Sequence, residues 1–113
     1  MNRFSVRLAI RYGAELRKLA ADYSVNMSTG GVFIETVENL PVGTPLFVEF
    51  MLPTRKTPVT CKARVVWTNE PGNPSSTSLP PGMGLQFFCL SLENIGDLRD
   101  FLNKAVCPLP ANV

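Results

Sequence analysis

The chain contains no histidine. That removes Ser-His-Asp and Cys-His catalysis and nearly every common zinc site. The three cysteines, Cys61, Cys89 and Cys107, are odd in number and widely spaced, so they offer neither a metal-ligand spacing nor a disulfide framework. Cys61 and Cys89 lie in apolar runs, where buried free thiols are expected, and a reducing cytosol fits. No apolar run reaches the length of a membrane span. No signal peptide precedes Asn26-Met27-Ser28, so this glycosylation sequon is not expected to be used, and the chain reads as cytoplasmic, without membrane insertion. Charge is also scarce. Charged residues make up 18% and the net charge is +2, too little for nucleic acid as the main partner, so no DNA is expected. There is no phosphate-cradling glycine loop of the P-loop kind and no carboxylate pair within one motif. Asp22, Glu35 and Glu49 are scattered and read as solvated surface. The chain is therefore not expected to be an enzyme, and no catalytic residue, metal or cofactor is assigned.

What charge there is lies unevenly. Arg3, Arg7, Arg11, Arg17 and Lys18 fall in the first eighteen residues against Glu15 alone, so the basic excess is N-terminal. The length of 113 residues and 45% hydrophobic content suit a single domain over 1–113 with one core, and residues 107–113 are expected to fray. Monomer or weak dimer is expected.

Periodicity places the elements. Phe4, Val6, Leu8, Ile10 and Tyr12 alternate with polar positions and predict one half-buried strand, with Arg7 and Arg11 outward. Ala14 to Ala21 reads as a wide turn, and a second strand follows near Leu19–Val25. Gly31–Thr36 is a third strand, Leu46–Leu52 a fourth. The fifth is the cleanest: Val59, Cys61, Ala63, Val65 and Trp67 against Thr60, Lys62, Arg64 and Thr68. Trp67 is assigned to core or rim packing. Pro53 to Pro58, with Arg55 and Lys56, is an exposed turn, and the Pro/Gly/Asn/Ser-rich stretch from Glu70 to Pro81 is a mobile loop. Gly82–Phe88 is the sixth strand, whose two glycines predict a bulge or a close backbone approach. Ser91 is placed as an N-cap before a helix carrying Leu92, Ile95, Leu98, Leu102 and Ala105 on one face, ended by Pro108 and Pro110. Six short strands and one helix predict an all-β barrel or sandwich, with the helix capping an open end or lying on an outer face.

The stretch between the second and third strands has a chemistry of its own. Asn26 and Ser28, two apart on an extended chain, share a side, and Met27 faces the other way. Gly30 and Gly31 are expected to turn through φ > 0. An amide, a hydroxyl and unshielded backbone N–H groups then form a polar shelf able to hold an anionic or amide-rich ligand; the alternative is a plain hairpin turn with two solvated polar residues.

These segments in order resemble a known family. Asn26-x-Ser28-x-x-Gly31 running into Val32-Phe-Ile, Pro41-Val-Gly-Thr44, Ala63-Arg-Val-Val-Trp67 and Pro81-Gly-Met-Gly-Leu-Gln-Phe87, behind a basic N-terminal segment, are similar to a PilZ domain over nearly the whole chain. The resemblance implies a six-stranded antiparallel β-barrel with a C-terminal α-helix, and a bacterial receptor for cyclic di-GMP. It implies two ligand motifs. Asn26, Ser28 and Gly31 match the second, with Gly30 beside them, and Arg3-x-x-x-Arg7 has the spacing of the first. An alternative register, set by the Phe4–Tyr12 strand, makes Arg3 the second motif arginine and puts the first ahead of residue 1. Arg7 and Arg11 share the spacing but lie inside the strand.

Two functions follow. In one, cyclic di-GMP binds at Arg3, Arg7, Asn26, Ser28, Gly30 and Gly31 and the domain transmits ligand level to an effector protein. In the other, a degenerate domain binds no nucleotide and acts as a protein-interaction adaptor through an apolar patch around Phe47, Met51 or Leu79–Met83.

Overall fold

Seven strands and one helix follow one another along the chain: β1 (Phe4–Ser5), β2 (Ala9–Gly13), β3 (Ala20–Ser28), β4 (Gly31–Glu35), β5 (Pro45–Phe50), β6 (Val59–Asn69), β7 (Gly82–Phe88) and α1 (Leu92–Ala105). The structure is a computed structural model that describes residues 3–105; Cys107, Pro108, Pro110 and the tail lie outside the described residues. Antiparallel pairing runs β3–β2–β5–β6–β7–β4 and closes through β4 on β3, with β1 added to β3. This is the expected six-stranded barrel plus one short strand. Closure pairs the edges that a sandwich would leave open.

The period-2 pattern selects the interior. On β6, Val59, Cys61, Ala63 and Val65 are buried, and Thr60, Lys62 and Arg64 are exposed. Leu46, Val48 and Phe50 of β5, Ile10 and Tyr12 of β2, and Met83 and Leu85 of β7 join the same core. Leu98, Phe101 and Leu102 of α1 belong to it as well, so the helix packs its apolar side onto the barrel interior. Burying Leu98 and Leu102 stabilises by about 2 kcal/mol each, which outweighs the roughly 1 kcal/mol cost of Gly96 inside the helix.

The helix begins as expected, with the Asn94 N–H donating to Ser91 Oγ at 3.1 Å. Leu92, expected on the buried face, is 88% exposed. It is the first helical residue, more than a turn before the packed stretch starts at Leu98. The β5–β6 turn is less exposed than predicted. Arg55 Nη1 donates to Asn94 Oδ1 at 2.8 Å and pairs with Asp97 Oδ2 at 2.7 Å, fastening the turn to α1. Cys61 is a buried free thiol, but Cys89, expected buried, is exposed, with a left-handed φ of 58° just past β7.

The predicted strand Phe4–Tyr12 is interrupted. Ser5 faces Asn26 and Ala9 faces Tyr23, so Val6, Arg7 and Leu8 stand opposite only Val25 and Ser24. The extra residue is a bulge. Ser24, 2% exposed, repairs it: its hydroxyl donates to Val6 O and accepts from the Leu8 N–H at 2.9 Å. β3 has a second irregularity against β4 between Ser24 and Asn26. For this reason Tyr23 and Val25 do not carry the apolar face into the turn. Tyr23 is 48% exposed, whereas Met27 is fully buried.

Gly31 does not take the positive φ expected of it. What requires glycine there is proximity: a Cβ on Gly31 would stand 2.2 Å from the Leu85 carbonyl oxygen across the β4–β7 pair. On β7, where a bulge or close approach was predicted, a Cβ on Gly84 would meet Trp67 Nε1 at 2.2 Å, and the facing β6 is bulged between Val65 and Trp67.

Candidate functional site

Pairing of β1 with β3 sets Phe4 opposite Met27, which puts Arg3 level with Ser28 at the outer end of the strand. Met27 turns into the core, so Asn26 and Ser28 share the opposite side, as their spacing predicts, but they are not solvated: they are 6% and 2% exposed. Arg3 Nε donates to Asn26 Oδ1 at 2.6 Å, and Arg3 Nη1 reaches Ser28 Oγ at 3.4 Å. The Gly30 N–H also donates to Ser28 Oγ, at 3.1 Å, and the Gly30 carbonyl accepts from the Phe87 N–H, which ties the tip of the hairpin to β7.

Arg3 is half-buried, and burial lowers its pKa from the ordinary value, though a guanidinium stays charged. Among the described residues the ion pairs are Arg11–Glu49, Arg55–Asp97 and Arg99–Asp100, and none involves Arg3. A cation partly removed from water and held, among the described residues, by neutral groups favours an incoming anion, because the Coulomb attraction of an opposite charge strengthens where water is partly excluded.

Arg3 also separates two cavities. One, of about 440 Å³, is lined by Arg3, Ser28, Gly30, Gly31, Leu85 and Gln86, with the β6 bulge residue Val66. The other, of about 300 Å³, is lined by Arg3, Asn26, Phe33, Trp67, Ser76, Ser78 and Leu79. Phe33 points to the outside of the barrel, where Trp67 stacks on it at 5.0 Å between centroids and 21° between planes. The bare Gly84 makes room for the indole edge. Trp67 is thus rim packing, as expected, and also a cavity wall.

The loop after β6 owes its shape to Asn69, which is 1% exposed. Asn69 Nδ2 donates to the carbonyls of Ser76, Leu79 and Pro80 at 3.0–3.1 Å, and its Oδ1 accepts from the Ser76 N–H at 2.8 Å. One buried amide therefore stitches the stretch expected to be mobile and carries Ser76, Ser78 and Leu79 to the cavity.

Arg3, Asn26, Ser28, Gly30 and Gly31 are brought together. Arg7 is not with them: its guanidinium carbon lies 4.1 Å from the centroid of the Tyr23 ring, and it lines neither cavity. Arg11 pairs with Glu49 at 3.0 Å. Phe33, Ser76 and Ser78 were missed by sequence reasoning, because the contacts that gather them cross between strands and loop. Among the described residues no cluster of Cys, Asp or Glu could hold a metal ion.

The PilZ domain family profile matches residues 2–104. No curated protein sequence matches the chain. Among solved structures, the chain is similar to the Bacillus subtilis inhibitor of motility MotI/DgrA, with a TM-score of 0.72 and 18% identity over 91% of this chain and 48% of that one. It spans about half of that protein's length. It is similar to the PilZ domain of YcgR from Escherichia coli, solved with c-di-GMP, with a TM-score of 0.61 and 15% identity over 89% of this chain and 86% of that one. It also resembles the PilZ domain of CeSA from a cellulose-synthesizing bacterium, with a TM-score of 0.59 and 11% identity over 89% of this chain and 94% of that one. At these identities the structural likeness speaks for the fold. With a family match over nearly its whole length and the closed barrel the family implies, the chain belongs to the PilZ domain family.

Proposed function

We propose that this chain is a cyclic di-GMP receptor and adaptor domain, a single unit over residues 1–113, working as a cytoplasmic monomer or weak dimer without enzymatic activity. The ligand-binding residues are Arg3, Arg7, Asn26, Ser28, Gly30 and Gly31. The observation that carries this reading is the Arg3 guanidinium: half-buried, paired among the described residues with the neutral Asn26 and Ser28, and set between two cavities. Cyclic di-GMP offers what such a group lacks, a phosphate or the O6/N7 edge of guanine. The Asn26–Ser28 shelf supplies short polar groups to the same ligand, and the structure of the E. coli YcgR PilZ domain with c-di-GMP supports the choice. Arg7 leaves Tyr23 and closes on the ligand, which changes the surface offered to an effector protein. No helix among the described residues is long and apolar enough to cross a membrane.

The position of Arg7 over Tyr23 favours a second reading, in which the arginine pair is incomplete and the domain is an adaptor indifferent to nucleotide. Isothermal titration of the purified chain with cyclic di-GMP separates the two. Heat that saturates with ligand, and vanishes in the Arg3→Ala/Arg7→Ala double variant, is the expected result. Absence of heat at high micromolar ligand would eliminate the receptor and leave the adaptor.

A further inference from the structure

We infer that Ser76 and Ser78, on the loop after β6, read the amino edge of a guanine seated in the 300 Å³ cavity, and so set the base selectivity of the site. The inference rests on the receptor reading above and adds two residues to it. The cavity is at the small end of ligand pockets, suited to one base and not to a whole cyclic dinucleotide. Its walls differ in chemistry. Trp67, stacked on Phe33, gives an aromatic side. Arg3 gives a donor fork without an acidic partner among the described residues. Ser76 and Ser78 line the same cavity, and their hydroxyls are hydrogen-bonded to each other at 3.0 Å, which leaves each oxygen a free lone pair.

Guanine has this polarity. Its O6 and N7 accept hydrogen bonds and suit an arginine. Its N1–H and N2 amino group donate, and each hydroxyl oxygen has lone pairs to accept them. Adenine would present its own amino group towards Arg3, donor against donor. The hydroxyls are also placed with purpose. Asn69 holds the backbone of Ser76 in both directions, accepting from its N–H and donating to its carbonyl, which fixes Ser76 at the cavity wall. Asn69 is here a positioning residue and does not line the cavity.

The test pairs a group on the ligand with a group on the protein. Wild-type chain and the Ser76→Ala/Ser78→Ala variant are titrated with cyclic di-GMP and with the cyclic dinucleotide in which hypoxanthine replaces guanine, which lacks only the N2 amino group. The wild type is expected to prefer cyclic di-GMP by about tenfold, the size of one hydrogen bond to a neutral partner. The double variant is expected to lose most of that preference. An undiminished preference in the variant, or none in the wild type, overturns the assignment of the serines and leaves the receptor reading standing. Failure of the wild type to bind either ligand overturns both. The single variant Ser78→Ala, at an exposed position, repeats the measurement should the double variant fold poorly.

Discussion

Arg3 Nε lies 2.6 Å from Asn26 Oδ1, and this hydrogen bond joins a cation to a neutral amide where an ion pair would be ordinary. The amide orients the guanidinium without neutralising it. Arg3→Ala should therefore cost affinity and not stability: cyclic di-GMP binding is expected to fall at least a hundredfold, while thermal unfolding shifts by no more than a few degrees. The stability side follows because Arg3 is only half-buried, so truncating it opens Asn26 Oδ1 to water, and Ser28 Oγ keeps the Gly30 N–H. Calorimetric titration and a melting curve on one preparation check both halves.

Arg7 and Tyr23 lead to a prediction of opposite sign. Their contact at 4.1 Å is an exposed cation–π pair, worth about 0.5–1 kcal/mol. If Arg7 must leave the ring to reach the ligand, that energy opposes binding. Tyr23→Ala should then tighten cyclic di-GMP binding by about two- to fivefold, whereas Arg7→Ala should weaken it by tenfold or more. Weaker binding by Tyr23→Ala would show that Arg7 acts from where it already lies.

Gly31 belongs to both the ligand motif and the barrel seam. Because a Cβ there would meet a carbonyl of the opposite strand, with no flexible side chain to yield, Gly31→Ala is expected to destabilise by about 2–3 kcal/mol. Denaturant unfolding measures this directly. A loss of binding in that variant without any loss of stability would mean that the glycine serves the ligand and not the seam.

Alkaline pH should loosen the fold through two interior groups. Tyr12 is pushed up to about 12 from its ordinary 10, chiefly by burial and then by donating to Asp22. Cys61 is pushed up to about 11 from 9.0, chiefly by burial and then by Cys89. In both cases folding favours the protonated form. Their contribution is complete below the unfolded values and is lost as pH rises through the folded ones, from about pH 9 to 12. Unfolding free energy should fall over that window, and the Tyr12→Phe/Cys61→Ala variant should show a flatter decline. An equal slope in both proteins would refute the assignment.

Much of the barrel was legible in the chain because burial of one strand face leaves a period of two, as in Val59, Cys61, Ala63 and Val65, and that signal is local. Asn26 and Ser28 were legible for the same reason, since two positions on one strand share a side. The irregularities were not. The bulge at Val6–Leu8 splits a strand that alternates without a break in sequence, and it exists because Ser24, on another strand, supplies a hydroxyl to fill the gap. The position of Arg7 over Tyr23 is a consequence of that pairing and not of spacing.

By itself the sequence determined the strand content, the helix cap at Ser91, the polar shelf and the family to which these belong, since each is written in neighbouring residues. Tertiary structure alone decided that Gly31 is fixed by Leu85 across the seam, and that Asn69 carries Ser76 and Ser78 to a cavity that Arg3 also lines. Those contacts join residues brought together only when the barrel closes, and no local periodicity records them.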